Sequence, residues 1–136
     1  MARREFGPRQ AIVEQALSRL KRLTRAEAVE VGSIYLELDT VQLEMLITAI
    51  KLDIVGSDRK THWSNARAFA SDAIRSAAYE SDAVHYGQMG DQYQLPWGAA
   101  RAAARDALAA IAVADILEPR NLDFLTSPLQ SLGIDT

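Results

Sequence analysis

The chain has no cysteine, which removes disulfides, thiol nucleophiles and cysteine-ligated zinc from the functions it could serve. Aromatic residues make up only 7% of its 136 positions. Alanine is abundant instead, with 23 residues, and that composition points to helix packed on helix. Alanine is the strongest helix former, and its short side chain lets neighbouring backbones approach closely. Long apolar runs are missing as well. The most apolar stretch, 107–114, is too short to span a bilayer and follows Arg101, Arg105 and Asp106. No apolar run follows the basic start, so no secretory signal is expected. The expected location is the cytoplasm, or a particle assembled there, with no membrane partner.

What is present fits one globular domain. The hydrophobic fraction is 49% and the charged fraction 24%, in the range of folded proteins of one-domain size. The net charge of −3 conceals a polarity: residues 1–25 carry seven Arg/Lys against two acids, whereas 26–136 carry eight against sixteen.

Hydrophobic periodicity predicts an all-α fold: a single domain over 1–136, built as a bundle of about five helices with short C-terminal helical turns. Residues 1–7 read as a basic arm. Pro8 can open the first helix, where Ile12, Val13, Ala16, Leu17, Leu20 and Leu23 share one face. Thr24 with Glu27 has capping-box spacing for a second helix. Residues 29–38 alternate in part around Gly32-Ser33, which leaves a two-residue hairpin open beside a helix. Helix is favoured, because no other segment offers that hairpin a strand.

Asp39 and Gln42 can cap a third helix ending near Val55 and Gly56. It bears two apolar stripes. One is Leu43, Leu46, Ile47, Ile50 and Ile54; the other is Val41, Met45, Ala49, Leu52 and Val55. Two stripes predict burial on two sides, hence a central helix. Trp63, Ala66, Ala70, Ala73, Ala77 and Val84 form the stripe of a long fourth helix. Residues 87–95 read as a linker. The fifth helix is alanine-rich, with ten alanines among the sixteen residues 99–114, and Pro119 is expected to stop it. Asn121 and Ser127-Pro128 then suggest two short terminal turns.

The chemistry-bearing groups each have a plain alternative. Arg3, Arg4 and Arg9 precede or begin the first helix, where positive charge is unfavourable to the helix itself, so a partner would explain them. Lys21, Arg22 and Arg25 sit near its end, where they complement the macrodipole. Tyr86, Tyr93 and Trp97 cluster around the linker and either form a binding surface or pin a loop. Asp58/His62 and Asp82/His85 have same-face helical spacing, as a carboxylate–histidine metal site requires. Glu27/Glu30 and Asp115/Glu118 have the acid spacing found at magnesium sites. Ordinary solvated helix faces account for all four pairs, so no metal and no cofactor is expected. Nucleophile elbow, phosphate loop and dinucleotide fingerprint are all absent.

The segment Ala-Ala-Arg-Ala-Ala-Ala-Arg-Asp-Ala-Leu-Ala-Ala-Ile-Ala-Val-Ala-Asp-Ile-Leu, followed by Leu-Asp-Phe-Leu-Thr-Ser-Pro-Leu-Gln-Ser-Leu-Gly, resembles the C-terminal part of alanine-rich proteins of actinobacteria and their phages. Asp115-Ile116-Leu117 and Pro128 match that pattern, while Leu129 stands where it tends to have tryptophan. Trp63-Ser64-Asn65-Ala66-Arg67 and Leu23-Thr24-Arg25-Ala26-Glu27 are similar to its upstream part. The resemblance covers about half the chain; it implies an all-α fold and brings no activity or site residues. The expected function is a non-enzymatic interaction or assembly protein, such as a structural part of a phage-like particle, with a protein partner or further copies of itself. A nucleic-acid-associated regulator using the basic N-terminus is the alternative, and a metal-dependent helical enzyme the second alternative.

Overall fold

Thr24 and Glu27 close a complete capping box. The Glu27 amide donates to Thr24 Oγ1 at 3.2 Å, and the Thr24 amide donates to Glu27 Oε1 at 3.0 Å. Both would otherwise be orphan donors at a helix start. Such local signals organise a computed structural model that describes residues 5–80 and 97–134, all-α among those residues. The helices are α1 (Gln10–Leu20), α2 (Arg25–Glu37), α3 (Thr40–Ile54), α4 (Arg59–Glu80), α5 (Ala99–Ala112) and α6 (Pro119–Gln130). Short 3-10 turns cover Gly7–Arg9 and Ala114–Ile116. The segment 29–38 is helical almost throughout, inside α2 and its C-cap, and Gly32 is buried there. None of the described helices is long and apolar enough to cross a membrane.

The other starts and stops are equally local. Asp39 caps α3 by accepting from the Gln42 amide at 3.0 Å. Gly56, at φ +84°, takes the left-handed conformation that turns the chain out of α3. Ser57 Oγ then donates to the Ile54 carbonyl at 2.7 Å and accepts from the Arg59 amide at 3.2 Å, ending one helix and beginning the next.

The third helix is not central, contrary to the expectation from its two stripes. Leu43, Ile47, Ile50 and Ile54 are buried, but Val41, Met45, Ala49, Leu52 and Val55 all face solvent. Its principal neighbour is α4, at the edge of the bundle. The centre belongs to α5, which packs against α1, α2, α4 and α6. Every residue from Asp106 to Val113 is buried. A helix with four neighbours needs short side chains on every face, and alanine meets that condition where leucine and isoleucine would hold the backbones apart. The closest partner, α4, presents alanines in turn: Ala66, Ala70, Ala73 and Ala77 are buried along one stripe.

Two proline expectations are also corrected. Pro119 does not merely stop the alanine helix; α5 ends at Ala112 and Pro119 is the first residue of α6, where its missing N–H is harmless. Pro128 lies inside α6, so the two expected terminal turns are one helix of 12 residues. Proline at 128 deprives the Phe124 carbonyl of its usual donor, and Ser127 Oγ supplies one at 3.1 Å. Gly133, at φ +75°, closes the end.

Candidate interaction surface

The basic residues fall into three groups once folded. Arg3 and Arg4 lie outside the described residues. Arg9 is built into the fold: its Nε donates to the Ile111 carbonyl at 2.8 Å, at the C-terminal end of α5. Lys21, Arg22 and Arg25 are exposed at the α1–α2 turn. Residues 5–7 of the expected arm are also part of the fold. Phe6 is buried and meets Phe69 edge-on with ring centroids 5.1 Å apart, while Asn65 Nδ2 donates to the Glu5 carbonyl at 3.0 Å. An aromatic residue in an otherwise basic arm is the signal that it docks.

The linker 87–95, Tyr86 and Tyr93 lie outside the described residues, as do Asp82, His85 and Val84. Trp97 is described, and it is buried to 1% exposure just ahead of α5, so its ring serves the core and does not stand on a binding surface. The Asp58/His62 pair is not assembled. Asp58 precedes the first residue of α4, outside the helical register that would align it with His62. Its carboxylate lies 3.9 Å from Arg59, whereas His62 is buried.

One acid of each pair with magnesium spacing, Glu27 and Asp115, is engaged by an arginine. The Arg19 guanidinium grips both carboxylate oxygens of Glu27 and, with the capping box, holds that carboxyl down at about 2. Arg59 holds Asp115 by two bonds of 2.7 and 2.5 Å, which depresses the Asp115 carboxyl and ties the start of α4 to the turn after α5. Among the described residues, no three His, Asp or Glu side chains come together as a metal would need.

One of the charges that precede the apolar stretch of α5 is itself buried. Asp106 is 3% exposed on the alanine-rich α5, with Oδ1 3.5 Å from both Arg67 on α4 and its neighbour Arg105. Desolvation pushes its carboxyl up, against the pull of Arg105 and Arg67. Desolvation likewise lowers the Arg67 guanidinium, against Asp106. Burial, and then the Asp106 charge, raise the Tyr35 hydroxyl. The available clue was spacing: Ala103, Asp106 and Ala110 share a helical face, so a face of alanine carries one carboxylate inward.

The surface with the clearest unmet demand is the outer face of α3. Val41, Met45, Leu52 and Val55 are 67%, 68%, 69% and 58% exposed. A groove of about 410 Å³ at its C-terminal half is lined by Leu52, Val55 and Trp63, with Lys51, Lys60 and Arg67 around them. A second groove at its N-terminal half is lined by Asp39, Val41, Gln42, Met45, Leu46 and Asn121. Scattered exposed apolar residues are normal, but an aligned row joining two grooves is what partner-binding faces look like. No protein-family model, curated protein or solved structure matches the chain, so the reading of this face rests on its own chemistry.

Proposed function

We propose that this chain is a non-enzymatic assembly protein that works through helix faces, the outer face of α3 foremost. The observation carrying this reading is the row Val41, Met45, Ala49, Leu52, Val55, exposed along a helix whose opposite row is already buried. Apolar area removed from water contributes roughly 25 cal/mol per Å², so such a row favours association with another apolar face. Peripheral placement of α3 supports the same reading, since a helix at the bundle edge can meet a partner without unpacking the core. A repeated part of a larger particle, as the likeness to alanine-rich phage proteins suggests, is a role that fits. The test is light scattering coupled to size exclusion over a range of concentration and salt. A concentration-dependent rise in mass that survives high salt is expected; a monomer under every condition defeats the proposal.

Lys21, Arg22 and Arg25, exposed together at the α1–α2 turn, favour nucleic-acid binding as the second reading. Duplex affinity falling steeply with salt would identify it.

A further inference from the structure

The exposed row on α3 is nearly symmetric about exposed Thr48. Val41 and Val55 lie seven residues to either side of it, and Met45 and Leu52 three and four residues from it. Rotated by a two-fold axis at Thr48 and laid antiparallel on itself, the row sets Val41 against Val55, and Met45 against Leu52. Exposed Glu44 then comes beside Lys51 of the other copy, also exposed.

Charge along the chain has the same two-fold sense. Residues 26–50 contain no lysine or arginine and five acids, among them Asp39 and Glu44. Residues 51–67 contain Lys51, Arg59, Lys60 and Arg67 against two acids. The groove at the C-terminal half of α3 gathers three of those cations around an apolar floor, and neither Asp53 nor Asp58 lines it. The groove at the N-terminal half has Asp39 and no cation.

We infer that the partner of the α3 face is a second copy of this chain, docked antiparallel about Thr48, with the acidic N-terminal half of each α3 seated against the cationic α3–α4 groove of the other. This rests on the assembly reading above and specifies its partner and geometry. A two-fold contact uses one patch twice, so each favourable element is made in duplicate: two Glu44–Lys51 pairs, two Met45–Leu52 contacts and two filled grooves. Parallel pairing in register would keep Glu44 and Lys51 seven residues apart along the axis and lose both pairs, so the charges favour the antiparallel arrangement. Methionine at position 45, unbranched and adaptable, suits insertion into the groove beside Leu52, Val55 and Trp63.

The experiment is sedimentation equilibrium on the full chain and four variants. Glu44→Lys and Lys51→Glu are each expected to weaken the homodimer by roughly tenfold, because each places like charges together twice. The variant carrying both changes is expected to recover to within about threefold of the original, the pair being restored with its signs exchanged. A mixture of the two single variants should form a heterodimer tighter than either homodimer. Leu52→Glu, at a position already exposed in the monomer, should abolish dimerisation with the helical circular dichroism unchanged. A dimer that tolerates Leu52→Glu, or single charge variants without effect, overturns the antiparallel seam while leaving assembly standing. A monomeric original chain overturns both.

Discussion

Arg9 donates its Nε hydrogen to the carbonyl of Ile111, 102 positions away in sequence, and so links the first turn of the fold to the last turn of its central helix. The carbonyls there lack intrahelical donors, and the macrodipole places partial negative charge at that end. A fixed guanidinium answers both. This is why a cation stands at the start of α1, where its own helix gains nothing from it. Replacing Arg9 by methionine keeps the aliphatic stem and removes the donor, at an expected cost of about 1–2 kcal/mol in urea unfolding. A loss no larger than that of an exposed change such as Lys21→Met would mean the bond contributes nothing.

Glu27 joins two elements through its ion pair with Arg19 and its part in the capping box of α2. Its folded carboxyl lies at about 2, below the ordinary 4.5. A depressed carboxyl stabilises the fold at all pH values above the unfolded value, and that contribution is lost as pH falls through 4.5 towards 2. Since the pair is partly exposed, its worth is about 0.5–1 kcal/mol at neutral pH. The stability difference between the original chain and Glu27→Gln should therefore be flat above the ordinary carboxylate range and shrink below it. A difference independent of pH through acid would rule out the ionised pair as its source.

Asp106 is the one carboxylate buried among the alanines of α5, and it answers Arg67 and Arg105 at 3.5 Å each. Asp106→Ala leaves two guanidinium groups facing each other without a counter-charge. The expected loss is about 1–3 kcal/mol, below that of a fully buried pair because Arg67 keeps 24% of its side chain exposed and can turn to water. Adding Arg67→Met should return part of that loss, so that the double variant is more stable than the sum of the singles. Strict additivity in chemical denaturation would show that the two charges do not interact.

Much of the fold was legible because its signals are local. Thr24 with Glu27, Asp39 with Gln42, and Gly56 each fix a boundary through their own backbone chemistry, and each works as the spacing predicts. Layer order was not legible. The apolar rows of α3 are richer in large side chains than anything on α5, yet α5 takes the centre, because what matters there is how closely four neighbours can approach. Hydrophobicity measures the wish to be buried; side-chain length decides which helix can be surrounded. The second α3 row was therefore read as core when it is surface, and it became the candidate site for that reason. The places of Pro128 and Arg9 in the fold were not legible for a different cause. Each violates a local rule, and its compensation comes from elsewhere: the Ser127 hydroxyl for Pro128, and an α5 carbonyl 102 positions away for Arg9.

Gly7 meets two demands at once, and they can be separated. Its φ of +73° is in the left-handed region, and a Cβ built there would lie 2.4 Å from Nδ1 of the His62 ring and 2.7 Å from its Cε1. Gly7→Ala should thus cost about 2–4 kcal/mol, part from backbone strain and part from the collision. His62→Ala alone removes a buried ring and carries its own penalty. In the double variant the collision vanishes while the strain stays. The two changes should therefore combine to less than their sum, by about 1–2 kcal/mol. If they add without coupling, His62 is not the group that keeps this position bare, and the penalty of Gly7→Ala belongs to the backbone alone.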